Sequence, residues 1–87
     1  MPDNAAVADT FGYLLIQHGE VDRGIALLEK AAKAEPKLAD IHYHIAQGWI
    51  KKGDKPKARG ALERALSINA KFSDSAEAAK QLKQLRE

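Results

Sequence analysis

The sequence has no cysteine and few aromatic residues, 6% of the chain. Without cysteine there is no disulfide framework, no thiolate metal site and no cysteine nucleophile. Scarce aromatics, set beside abundant alanine, argue against a β-sandwich and for helices that pack closely through small side chains. No apolar run approaches the roughly 18–20 residues of a membrane span. The first ten residues, "MPDNAAVADT", lack the basic start and apolar core of a signal peptide. No Gly-x-x-x-x-Gly-Lys loop is present to cradle a phosphate.

What is present is an 87-residue chain with an ordinary hydrophobic share of 45%, enough for one small folded domain. The net charge of +2 is too weak to mark a general nucleic-acid binder. Its distribution is uneven. Residues 1–50 hold 4 basic and 7 acidic side chains, and residues 51–87 hold 10 and 5, so −3 is followed by +5. The densest basic stretch is "KKGDKPKAR", residues 51–59. It reads as a solvated turn, where cations favour a helix C-terminus, with a patch for an anionic partner as the alternative.

Sliding the sequence by 34 residues aligns it with itself. Gly19 falls on Gly53, Glu20 on Asp54, Leu28 on Leu62, Glu29 on Glu63, Lys30 on Arg64 and Ala31 on Ala65. The match extends to Ala5 on Ala39, Val7 on Ile41, Phe11 on Ile45, Gly12 on Ala46, Leu15 on Trp49 and Ile16 on Ile50. Lys37 on Lys71 and Asp40 on Asp74 begin a third unit. A fixed period of this length signals stacked repeats.

Apolar spacing of three and four predicts helices over 6–18, 22–34, 40–52, 55–68 and 74–86. The first carries a stripe of Val7, Phe11, Leu14, Leu15 and His18. Gly19 and Gly53 stand where a left-handed residue stops a helix. Asp54 is placed to cap the fourth helix, whose Pro56 suits a first turn. Pro36 ends the second. The last helix has a thin stripe of Ala78, Ala79, Leu82 and Leu85, as a solvent-facing cap would. Gly48 and Gly60 fall inside helices, where close helix crossing is the simplest account.

The pattern resembles the tetratricopeptide repeat (TPR), whose signature is Trp-x-x-Leu-Gly-x-x-Tyr, Ala-x-x-x-Phe, Ala and Pro. The first unit reads Ala8, Phe11, Gly12, Leu15, Gly24, Leu28, Ala31 and Pro36. The second reads His42, Ile45, Ala46, Trp49, Ala58, Leu62, Ala65 and Ala70. Ala8, His42 and Ala70 depart from the signature. The resemblance implies an all-α, right-handed stack: repeat one over 5–38, repeat two over 39–72 and a capping helix over 73–87. A narrower resemblance, carried by "DTFGY", "QHGE" and "IHYH", is to the C-terminal repeats of long bacterial cell-envelope TPR proteins, including lipoproteins of exosortase and exopolysaccharide-export clusters. It implies a segment of a longer solenoid in the envelope. The residues themselves leave the compartment open.

In TPR stacks the first helix of each pair lines a concave groove. By resemblance, the groove positions here are Ala6, Asp9, Thr10, Tyr13, Ile16 and Gln17, then Asp40, Tyr43, His44, Gln47, Ile50 and Lys51, continued by Glu77, Ala78 and Gln81. Tyr13 and Tyr43 are the expected anchors, since tyrosine combines apolar area with a polar tip; the alternative is that one or both pack partly between helices, as half-buried tyrosines commonly do. The family's carboxylate clamp needs lysine and asparagine where Asp9, Tyr13, Tyr43 and Gln47 stand, so binding of a chaperone tail is not expected.

Three histidines raise the question of a metal. His42 and His44 are two apart on a helix and point to nearly opposite sides, and His18 lies at a helix end, so no metal, cofactor or catalytic set is expected. A pentatricopeptide-like RNA reader would need a basic groove, against which Asp9 and Asp40 argue. The expectation is a non-catalytic scaffold that binds a protein or peptide, without nucleic acid or membrane insertion. The alternative is a structural segment that self-associates, as a homodimer, through an exposed face of the first helix bearing Val7, Phe11 and Leu14.

Overall fold

A computed structural model describes residues 4–86. Five α-helices follow one another, α1 (Ala5–Gln17), α2 (Val21–Ala34), α3 (Ala39–Lys52), α4 (Lys55–Ile68) and α5 (Ser75–Arg86), with no strand among the described residues. Each boundary lies within a residue of its sequence expectation.

Local chemistry sets the ends. After α1, the Gly19 N–H bonds to the Ile16 carbonyl at 3.1 Å and the Glu20 N–H reaches back to Leu15 at 2.9 Å. After α3, Gly53 and Asp54 make the same pair of bonds to Ile50 and Trp49, at 3.0 and 2.9 Å. This geometry needs a left-handed residue, and Gly19 and Gly53 have φ of 92° and 77°. The repeat is therefore present in the hydrogen bonds as well as in the letters. Asp54 caps α4 by accepting from the Lys57 N–H at 3.1 Å. Asn4 does the same for α1 through Val7, at 3.1 Å, a cap the sequence reading did not assign. No proline follows α4. Asn69 leaves the helical region there and its side chain accepts from the Lys71 N–H at 3.0 Å.

Packing follows the small residues. A Cβ on Gly24 would lie 2.6 Å from the Gly12 carbonyl oxygen, so α1 and α2 meet almost backbone to backbone. A Cβ on Gly48 would lie 2.6 Å from Ile25, which gives that glycine its crossing. Gly60 is different: a Cβ there would meet nothing within 4 Å, so close crossing does not account for it.

Two apolar clusters form the core. Ile16, Ile25, Leu28, Ile41 and Ile45 join α1, α2 and α3. Tyr43, Ala46, Leu62, Phe72 and Leu82 join α3, α4 and α5. Burying one such leucine or isoleucine contributes about 1.5–3 kcal/mol. The sides of α1 are sorted differently from the expected stripe. Ala5, Gly12 and Ile16 are its buried residues, while Val7, Phe11 and Leu14 are 63%, 52% and 45% exposed. In α5, Ala79 is exposed and Ala78 and Leu82 carry the packing. The whole is elongated, 40 × 26 × 17 Å.

Candidate functional site

The alternate helices α1, α3 and α5 are tied to one another by polar side chains. Asp9 and His44 join α1 to α3: His44 Nδ1 lies 2.7 Å from Asp9 Oδ1, and both side chains are largely buried. A carboxylate can only accept, so the Nδ1 proton points at Asp9 and Nε2 is the ring's other face to its surroundings. Tyr13, one turn beyond Asp9, stacks on the same imidazole with centroids 4.1 Å apart and planes 21° from parallel. Tyr43 meets His44 edge-on at 5.7 Å. Gln47 joins α3 to α5 by a reciprocal amide pair with Gln81, at 2.8 and 3.0 Å, and its Nε2 also donates to the Tyr43 carbonyl at 3.2 Å. The pair's partners are 34 residues apart, so one repeat step carries position 47 onto position 81.

These bonds sort the expected groove residues. Asp9, Tyr13, Tyr43, His44 and Gln47 come together across α1, α3 and α5. Tyr43 is only 7% exposed and packs on Phe72 at 5.8 Å, so it is a core residue before it is an anchor. Burial, aided by Asp74, Tyr13 and Glu77, pushes its phenol up to about 12. Ile16 and Ala78 are fully buried and leave the surface altogether, because α2 and the second cluster cover them. Asp40 is half-buried and accepts a long hydrogen bond from Ser73 at 3.5 Å. Thr10 is exposed; its hydroxyl donates to the Ala6 carbonyl at 3.1 Å, and it lines a shallow hollow with Val7, Phe11 and Leu14 at the outer side of α1. Gln17 and Lys51 are exposed near the ends of α1 and α3. Ile50 is 37% exposed.

The opposite side of α3 carries a feature the sequence reading missed. His42, Ile45 and Trp49 floor a cleft of about 810 Å³ between α2 and α4, walled by Ala26, Ala32, Gly60 and Ala61. Lys30, Lys33, Lys57 and Arg64 line it, with Glu29 the one acid among the lining residues. Lys57 Nζ sits 4.4 Å from the Trp49 ring centroid. Burial first, and then Arg64, lower the His42 pKa below its ordinary 6.5, against a hydrogen bond with the Pro36 backbone that raises it. The available signal was the spacing of Ala26 before Lys30 and of Gly60 before Arg64. Residues four apart share one helix face.

The described residues contain no helix long and apolar enough to cross a membrane. Comparison with protein families finds that the tetratricopeptide repeat model matches residues 15–85. No curated protein matches the chain.

Proposed function

Because the chain belongs to the tetratricopeptide repeat family, whose members generally act as non-catalytic scaffolds for protein interaction, we infer that its α1, α3 and α5 side receives a peptide or partner helix. The observation that carries this is the Tyr13–His44 stack held by Asp9. It sets a flat aromatic surface in place before any partner arrives, which reduces the ordering that binding requires. Asp40 on α3, Glu77 on α5 and Asp74 in the turn before α5 favour lysine or arginine side chains in the partner. Asp9 acts on His44 as an orienting acceptor rather than as part of an acid–base set. The setting proposed is a bacterial envelope assembly, on the strength of stretches 9–13, 17–20 and 41–44.

Affinity capture with the chain and its Tyr13→Ala variant as baits, read by mass spectrometry, tests the reading. Truncating an aromatic anchor is expected to weaken binding about tenfold or more. Partners lost with the variant, at unchanged helicity, are the expected outcome. Identical partners on both baits would sink it. Tyr43→Ala is unsuitable as a bait, since Tyr43 belongs to the core.

A second reading, a self-associating structural segment, has its own support in Val7, Phe11 and Leu14. Their equivalents one repeat on, Ile41, Ile45 and Gly48, are buried, with Ile25 of α2 against Gly48. The α1 face thus has the form of a helix-packing surface and is covered by nothing among the described residues.

A further inference from the structure

Gly60 breaks a local rule without a packing return. A glycine inside a helix costs about 0.5–1 kcal/mol relative to alanine, and the space above it is open. That space belongs to the cleft between α2 and α4. The repeat builds the two walls alike, with Ala26 and Gly60 at one position and Lys30 and Arg64 one turn further. Small residues keep the walls back, cations stand over them, and Trp49 lies beneath.

We propose that this cleft is a second ligand site, which takes a short acidic peptide segment whose apolar side chain enters beside Trp49 and Gly60 while its carboxylates meet Lys30, Lys33 and Arg64. Four cations stand over an apolar floor and complement such a ligand in charge. The cleft is an open groove of about 810 Å³, which suits a segment lying along the surface rather than an enclosed small molecule. An anion with no apolar part would leave the Trp49 floor unused. The site lies on the far side of α3 from the Tyr13–His44 stack and wants the opposite charge in its ligand, so it stands or falls independently of the first reading.

Trp49 is the chain's only tryptophan, so its emission reports on this cleft directly. The probe is the capped peptide Glu-Asp-Phe-Leu-Asp-Glu, titrated to about 1 mM, the weak end of short-peptide recognition. The expected result is a saturable change in Trp49 emission, weakened about tenfold or more by Arg64→Glu and to a similar degree by Gly60→Leu, which fills the cleft. Circular dichroism checks that both variants stay helical. Arg64 is exposed and the Gly60 site is open, so neither change disturbs the core. Replacing Phe-Leu by alanines in the probe is expected to weaken it as well. No saturable change, or equal binding by the chain and its Gly60→Leu variant, overturns the proposal. So does tighter binding of a thymidine oligonucleotide or of phosphatidylserine vesicles, which would make the cations a general anion surface.

Discussion

At the scale of single residues, His44 and His42 show how two neighbouring imidazoles take different work. His44 is held by Asp9 and covered by Tyr13. Removing it leaves a largely buried carboxylate short of its donor, so His44→Ala is expected to destabilise the fold by about 1–3 kcal/mol in urea unfolding. An Asp9→Ala/His44→Ala double variant should cost less than the sum of the single changes, which a double-mutant cycle would read directly. His42 faces the cleft, where its pKa is lowered. The unfolded chain therefore binds a proton at higher pH than the folded one does. Stability from this group is full above the ordinary 6.5, is lost as pH falls toward the lowered value, and is flat below it. Unfolding curves across that window should slope less for His42→Gln. Two glycines separate packing from vacancy. Gly24→Ala drives a methyl into the Gly12 carbonyl and is expected to destabilise by about 1–3 kcal/mol. Gly60→Ala meets nothing and should stabilise by about 0.5–1 kcal/mol. Thermal unfolding of both variants checks the contrast.

At the scale of elements, the stops matter as much as the helices. Gly53 is left-handed, so Gly53→Ala is expected to cost about 1 kcal/mol or more by equilibrium unfolding, although its side chain would meet nothing. The element boundaries were legible because each rests on near neighbours: Gly19 and Gly53 at the stops, Asp54 at a cap, Pro36 after a helix. The family was legible through the 34-residue register. Which side of each helix faces its neighbours was less so. Ile16 aligns with Ile50, yet the first is buried and the second is partly exposed: Ile16 is seated against Gly24 of α2 and Gly48 of α3, neighbours that lie outside the local pattern. Tyr43 occupies a groove position in the repeat pattern, and Phe72, in the loop before α5, packs on it and draws it into the core. The cleft is hard to read from sequence because small residues on two helices far apart in the chain, Ala26 and Gly60, define it.

At the scale of the whole molecule, a net charge of +2 conceals two unlike sides. Asp74 and Glu77 stand near Tyr43 on one side of α3, and cations line the cleft between α2 and α4 on the other. Helix α3 serves both and packs against α1, α2 and α4. Its central amides should be the slowest to exchange hydrogen, with those of α1 and α5 opening earlier. The outer face of α1 bears on assembly. If it pairs copies of the chain, Phe11→Ser should shift sedimentation equilibrium toward monomer with little loss of stability, since Phe11 is half exposed. Gly12 and Gly24 bring the backbones of α1 and α2 together. The second helix pair has Ala46 and Ala58 at those places, both fully buried, so α3 and α4 must leave room for two methyl groups that α1 and α2 do not admit. The two hairpins are cut to different gauges and are not exchangeable parts. Grafting the second pair's alanines onto the first would push α1 outward, and a chain assembled from two copies of either hairpin would stack along a different line from this one.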